Sequence, residues 1–337
     1  MTLRIRPVTR HDHGAILGLA KIAGIGMSSL PPDEAVLHHK IEHATQSFAG
    51  KPIKPQEETF LFVLEDMETG ALVGTTGIYA HVGLSRPFYS YKISVISQAS
   101  SAIGIYSLQQ VLHMVNDYTG ASEIGSLFLQ EAYRRDGIGR LLSRCRYLMM
   151  AEFPHLFADM IIAEVRGVQA ENGDSPFYDN LARHFFKVSF KEADYIYATQ
   201  GSQFIADLMP KYPIYVNLLS QAAQAVIGVP LPASRPAMQL LMKEGFSSEG
   251  YVDLFDAGPT LQAKREHIHT VKTSVKAEIV DIRPLNTPAS YLISNTRLQN
   301  FSIVMGSLEK VENGVIITPE TANALSLNKK DKVRYVL

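Results

Sequence analysis

Residues 134–142 read Arg-Arg-Asp-Gly-Ile-Gly-Arg-Leu-Leu: two glycines two apart among three arginines, with an apolar helix-like run behind them. Glycine lets a backbone approach a ligand closely, and the first turn of a following helix leaves several N–H groups without internal partners. The helix dipole adds positive potential at the same end. Arg134, Arg135 and Arg140 supply charge-assisted donors. Such a loop suits a pyrophosphate; the competing reading is a glycine turn with solvated arginines. No Gly-x-x-x-x-Gly-Lys-Ser/Thr spacing occurs, and Leu142 stands where a dinucleotide fingerprint needs its third glycine.

The elements around this loop must position it. Residues 121–130 and 160–165 read as strands on either side of a helix that begins at the loop. Upstream, residues 3–8 read as a strand, and Thr9 with Asp12 as a helix start. That helix ends near Gly24-Ile25-Gly26, and Asp33 or a neighbouring polar group opens a second one. Residues 59–66 and 71–83 read as a hairpin. Residues 175–187 and 235–244 each read as a helix running into an aromatic strand, so 170–235 is either an insertion or an internal echo. Residues 270–290 read as a linker, with Pro284 and Pro288. Beyond it come short strands, a hairpin turn at Asn313-Gly314 and a helix start at Thr318-Pro319.

The chain has 337 residues, a formal net charge of −1, 46% hydrophobic and 19% charged residues. That suits a soluble globular protein of about two domains. Without a basic block there is no electrostatic footprint for nucleic acid. Cys145 is the only cysteine, so no internal disulfide forms, which favours a reducing, cytoplasmic setting. The N-terminus lacks a signal-peptide run, and no apolar stretch is long enough for a membrane.

In this context the loop resembles the acyl-CoA site of the Gcn5-related N-acetyltransferase superfamily. By that resemblance Leu127, Phe128 and Leu129 flank the pantetheine arm, and Arg134, Arg135, Gly137, Ile138, Gly139 and Arg140 wrap the phosphates. A closer resemblance rests on separated blocks in one order, among them "SSLPPDEAVL", "TGASEIGSLFL", "SPFYDNLARHFF", "FIADLMPKYPIY" and "YVDLFDAGPTL". Together they look like the arginine N-succinyltransferase family, as does the C-terminal "VIITPETANALSLNKKDKVRYV". The resemblance implies succinyl transfer from succinyl-CoA to the α-amine of L-arginine, with succinyl-CoA as cosubstrate and no metal or permanent cofactor. Alternatives are ornithine or another acceptor, another acyl donor, or a catalytically silent acyl-CoA-binding subunit. A homodimer and a hetero-oligomer both stay open. The expected fold is α+β: a Gcn5-related N-acetyltransferase-like mixed sheet flanked by helices, with residues 1–270 as the acyltransferase domain and 285–337 as a small mainly β C-terminal module.

The implied chemistry needs an acceptor for the amine proton, donors for a thioester oxyanion, a partner for the succinyl carboxylate and carboxylates for the guanidinium. The resembling family assigns a proton-donor histidine to a Val-His-Pro segment. Here that stretch reads "VIGVPLPASRP", and Leu231 stands at the histidine position. Leucine cannot donate a proton. Either the histidine assists without being essential, or a distant one (His81 and His113 by type) takes over, or the activity has changed. The first is favoured because positioning carries much of such catalysis.

Ser28 and Ser29 are candidates for the acceptor pocket, or a helix cap. Glu164 could take the amine proton or bind the guanidinium, with a surface ion pair as the alternative, and Arg166 is a second substrate candidate. Asn217 is placed in the pocket. Cys145 reads as core. His38, His39 and His43 share a helix without an evident third metal ligand. Tyr212, Pro213 and Tyr215 read as packing residues.

Overall fold

The computed structural model describes residues 3–24, 27–135, 137–170, 172–286 and 290–337. After β1 (Leu3–Pro7), the Thr9 amide donates to Asp12 at 2.7 Å and the chain enters α1 (His13–Ala23). The Asp33 carboxylate accepts the Val36 amide at 2.9 Å and opens α2 (Glu34–Phe48). Both contacts satisfy amides that a helix cannot satisfy internally. Then come β2 (Thr59–Asp66), β3 (Leu72–Tyr79), β4 (Ser90–Ser100), β5 (Ile105–Val115), β6 (Ser122–Leu129), α3 (Ile138–Glu152) and β7 (Met160–Glu164). Short helices follow: α4 (Pro176–Asn180), α5 (Arg183–Phe186), α6 (Phe190–Gln200), α7 (Gln203–Leu208), then β8 (Ile214–Tyr215) and α8 (Gln221–Gln224). α9 (Arg235–Lys243), β9 (Ser247–Asp253), β10 (Pro259–Lys264) and α10 (His269–Thr273) complete the larger part. β11 (Val275–Ile282), β12 (Ser290–Ser294), β13 (Ile303–Val311), β14 (Gly314–Ile317), α11 (Pro319–Leu325) and β15 (Lys332–Val336) end the chain.

The main sheet runs β1-β2-β3-β6-β7-β10-β9-β4-β5-β8. Every pair is antiparallel except β6–β7. β2 shows why helices cover both faces. Phe60, Phe62 and Leu64 pack with Leu142 and Leu148 of α3, whereas Leu61 and Val63 pack with Ile16 of α1 and Ile41 of α2. A strand buried on both sides reads as a continuous apolar run.

At the C-terminus β12 pairs with both β15 and β13, β11 with β15 and β14, and β13 with β14. Those five pairings close a small barrel, which leaves no free edge within it. Ile279, Val304, Val315 and Val333 fill it under α11. Pairing of Arg4 and Ile5 with Val304 and Ile303 ties it to the main sheet.

Two expectations change. β11 runs through the stretch read as a linker, because Ala277 and Ile279 pack into the barrel core; Pro288 lies outside the described residues. Residues 175–187 form α4 and α5 with no strand, since Phe177 and Phe186 pack with α6 and α7 over Tyr91 and Leu112 of β4 and β5. The other such stretch does lead from α9 into β9. The sequence reading also missed the β4–β5 hairpin, whose outer part leaves Val95, Tyr106 and Leu108 exposed. The helix ending at Gly24 is as expected, while Ile25 and Gly26 fall outside the described residues.

Candidate active site

β6 and β7 pair only through Ser122–Ile161 and Glu123–Ile162. Beyond that point they part, and a cavity of about 800 Å³ lies at the gap. A bulge in β6 shapes its wall. Gly125 opposes Gly77 and Phe128 opposes Thr75, so Ser126 and Leu127 together face Thr76. Ser126 takes a φ of 52°, and the Thr75 hydroxyl donates to its carbonyl at 2.8 Å. Bulges re-aim backbone and side chains in this way next to functional sites.

The glycine loop sits at one end of the cavity. Leu127, Phe128, Leu129, Arg134, Arg135, Gly137 and Gly139 all line it. Gly137 caps α3 at a φ of 76°, where a side chain is strained, yet a Cβ there would meet no protein atom within 4 Å. The space beside it is open. Arg134 Nε donates to the Leu129 carbonyl at 3.0 Å, which holds the side chain against the strand end. Two expected residues fall elsewhere. Ile138 is buried in the core, and its amide already donates to the Arg135 carbonyl at 3.0 Å. Arg140 is exposed and outside the cavity wall, because the helical turn points it to solvent.

On the opposite side the Ser28–Ser29 loop lines the cavity. The Ser126 amide donates to Ser29 Oγ at 3.2 Å, and Ser126 Oγ donates to the Ser29 carbonyl at 3.1 Å. Lys40 Nζ donates to Ser126 Oγ at 3.0 Å and also to the Ser29 carbonyl and the Tyr79 hydroxyl. One lysine thus pins the loop to the bulge. Sequence reasoning missed it, although it lies on α2 among the histidines that drew attention.

The inner end is acidic. Glu123 from β6, Glu164 from β7, Asp253 from the end of β9, and Asp256 all line the cavity, as does Asp194 from α6. Burial pushes the Glu123 carboxyl up to about 7, against the pull of Lys40 and with the push of Asp253. Desolvation and the charges of Asp253, Glu123 and Asp256 hold Glu164 well above the ordinary carboxylate range. Asp253 and Asp256 are likewise raised, chiefly by burial. Like charges out of water disfavour each other's ionised forms. The same surroundings raise the Tyr197 hydroxyl, burial first and then Glu164. Arg166 also lines the cavity; burial lowers its pKa while Asp194 and Asp256 raise it, and its Nη2 is buried without a hydrogen-bond partner.

Two glycines make this end fit together. Asp256 accepts the Gly167 and Gly258 amides, each at 2.8 Å. A Cβ on Gly258 would lie 2.1 Å from the Val165 carbonyl oxygen. The next segment docks alongside: Pro230 bridges Gly167, and the Leu231 amide donates to the Arg166 carbonyl at 2.8 Å. Leu231 therefore faces the cavity beside Arg166.

Other candidates lie apart. Asn217 is exposed in a turn after β8 and does not reach the cavity. Neither His81, whose Nδ1 is 2.7 Å from the Gln56 carbonyl, nor His113 on β5 lines it. Cys145 is buried in α3, and burial pushes its thiol up to about 12, which removes any nucleophilic role. His39 and His43 are ring neighbours at 6.3 Å. Among the described residues, no group of three or more His, Cys, Asp or Glu is set to hold a metal ion. Tyr215 is half-buried, but Tyr212 and Pro213 are exposed, because the turn before β8 carries them outward. No helix among the described residues is long and apolar enough to cross a membrane.

A bulged strand parting from its parallel neighbour, with a glycine loop at the mouth of the gap, is the Gcn5-related N-acetyltransferase-like arrangement, and the chain is an acyltransferase of that class. Comparison supplies the family. The profile of the arginine N-succinyltransferase beta subunit matches residues 3–270, and the profile of that subunit's C-terminal domain matches residues 272–336. The chain is 40% identical to the arginine N-succinyltransferase of Escherichia coli (strain 55989 / EAEC) over 334 residues, covering 98% of this chain and 96% of that protein. It is 40% identical to the Yersinia enterocolitica enzyme of the same name over 338 residues, covering 99% and 97%. The solved structure of arginine/ornithine succinyltransferase subunit AI from Pseudomonas aeruginosa superposes with a TM-score of 0.90 at 34% identity, over 99% of this chain and 98% of that one. This chain belongs to the arginine N-succinyltransferase family.

Proposed function

We propose that the protein transfers the succinyl group of succinyl-CoA to the α-amine of L-arginine, giving N2-succinyl-L-arginine and CoA. One observation carries the acceptor: Glu123, Glu164, Asp253 and Asp256 converge in the cavity with their carboxyl groups raised, an acidic end that lacks enough cations of its own. A guanidinium and an α-ammonium bring that charge. No metal-ligand group competes for the role among the described residues.

In this reading the CoA phosphates lie on the glycine loop, against the α3 N-terminus and Arg134. The pantetheine arm follows Leu127–Leu129. Glu164 and Asp253 hold the guanidinium. Glu123, with a pKa pushed up to about 7, accepts the amine proton directly or through water. The amine attacks the thioester carbon, the oxyanion collapses, and the C–S bond breaks as the CoA sulfur takes, through water, the proton that the attacking nitrogen sheds. Leu231 supplies no proton, so positioning of the two substrates carries the rate. A single buried thiol suits a reducing cytoplasm.

The test is release of free CoA thiol from succinyl-CoA with and without L-arginine, with acetyl-CoA and L-ornithine as comparisons. Arginine-dependent release supports the reading. Succinyl-CoA binding without release for either amino acid points instead to a silent acyl-CoA-binding subunit.

A further inference from the structure

Arg146 lies on α3, is 2% exposed and lines the cavity. Among the described residues its guanidinium makes two hydrogen bonds, both within its own helix: Nε to the Ser143 carbonyl at 2.9 Å and Nη2 to Ser143 Oγ at 2.8 Å. Nη1 has no hydrogen-bond partner among the described residues, and the guanidinium carbon lies 5.5 Å from the Tyr147 ring centre. Three other sequestered arginines carry a carboxylate partner, whereas Arg166, at the acidic end of the same cavity, feels Asp194 and Asp256 but leaves Nη2 without a hydrogen-bond partner. Arg144 has Glu244 at 3.2 Å, Arg334 has Glu152 at 2.9 Å, and Arg6 has Asp12 at 2.8 Å. No such carboxylate meets Arg146 among the described residues. A guanidinium kept from water without an anion is costly, so the missing anion arrives with a ligand.

Which anion follows from position. Arg146 stands nine residues after Gly137, roughly 13 Å down the helix axis from the phosphate end. That is too far for the pyrophosphate, and the pantetheine arm is neutral. The acceptor's own carboxylate has Arg166 near the acidic end. What remains is a carboxylate on the acyl group. The free edge of the Arg146 fork, Nη1 with the second Nη2 hydrogen, matches a carboxylate bidentately.

We infer that Arg146 binds the terminal carboxylate of the acyl group, and so sets the preference for a dicarboxylic acyl thioester over an unsubstituted one. The inference rests on the proposed function.

Binding of succinyl-CoA and acetyl-CoA to the full chain, by calorimetry without acceptor, tests it in wild type, R146M and R146K. The expected result is that R146M weakens succinyl-CoA binding by about tenfold or more and leaves acetyl-CoA within about twofold. R146K, which keeps the charge but not the fork, recovers part of the loss. An equal loss for both thioesters, or an unchanged succinyl preference in both variants, overturns the assignment. If R146M does not fold, R146K decides alone: part of the succinyl preference lost supports the assignment, and none lost overturns it. The two proposals separate cleanly. A wild type that prefers succinyl-CoA through Arg146 but never transfers to arginine refutes only the proposed function. One that transfers while R146M keeps the preference refutes only the role of Arg146.

Discussion

The Leu231 amide donates to the Arg166 carbonyl at 2.8 Å, which docks the segment after α8 onto the end of β7 and turns Leu231 toward the cavity. A backbone bond does not depend on the side chain. Leu231→His should therefore fold normally and present an imidazole at the same wall. A required proton-transfer group is worth about 10²–10⁴ in rate. If positioning carries the reaction, the wild type is already active, and L231H raises kcat by no more than about tenfold while adding an imidazole limb to the pH profile. A silent wild type that becomes active as L231H would show that the leucine had cost the chemistry.

Glu164 tests the acidic end separately. It comes from β7 and faces Glu123, Asp253 and Asp256 electrostatically. Glu164→Gln keeps shape and one acceptor oxygen while removing charge. Losing a charged hydrogen-bond partner costs about 1.5–3 kcal/mol, so kcat/KM for L-arginine should fall roughly 10- to 100-fold. KM for succinyl-CoA should stay within about twofold, since the glycine loop is untouched. Equal losses for both substrates would place Glu164 in the scaffold instead.

The loop, the strands beside it and the caps at Asp12 and Asp33 were legible because each is a local pattern. Of the acidic end only Glu164 was, as a charge at the end of an apolar strand. Glu123, Glu164 and Asp253 come from β6, β7 and β9, and only the parting of β6 from β7 makes a cavity for them. On its strand Glu123 looks like any polar residue in an alternating run. The β4–β5 hairpin escaped for the opposite reason: residues 93–112 hold no charge and many Ser and Gln, so neither alternation nor a buried run marks them. The arginines of the loop misled in part, because the Leu129 carbonyl holds Arg134 at the cavity while the first turn of α3 points Arg140 to water.

The raised carboxyl groups make the empty protein pH-sensitive. Glu123 moves from an ordinary 4.5 to about 7. Between those values the folded chain holds a proton that the unfolded chain has lost, so this stability is full below pH 4.5 and disappears as pH rises through 7. Glu164 and Asp256, raised well above their ordinary values, act in the same direction. L-Arginine favours the ionised carboxylates and must expel protons on binding. Its affinity should climb from pH 5.5 to 8, with release of about one proton per arginine. Calorimetry in two buffers of different ionisation enthalpy reads this directly, and a buffer-independent enthalpy at pH 6.5 would contradict it.

Gly167 holds the last link between backbone and site. Its amide donates to Asp256, and a Cβ there would sit 2.3 Å from the Asp256 carbonyl oxygen and 2.6 Å from its carboxylate. Both atoms belong to the turn that carries Asp253 and Asp256 into the cavity, and Gly258 on the same turn is equally tight against the segment that leaves β7. Gly167→Ala must push β7 and this turn apart. Overpacking against backbone costs about 1–3 kcal/mol, and here the upper end applies because the Asp256 carbonyl and the Gly258 nitrogen, both backbone, lie within 2.7 Å of that Cβ. Denaturant unfolding should show that loss with an unchanged m-value. Arginine binding should weaken by more than succinyl-CoA binding, since the displaced turn carries the acids and not the glycine loop. Gly139→Ala is the control: its Cβ would meet only the Leu129 side chain at 3.9 Å, so stability should hold while CoA affinity falls.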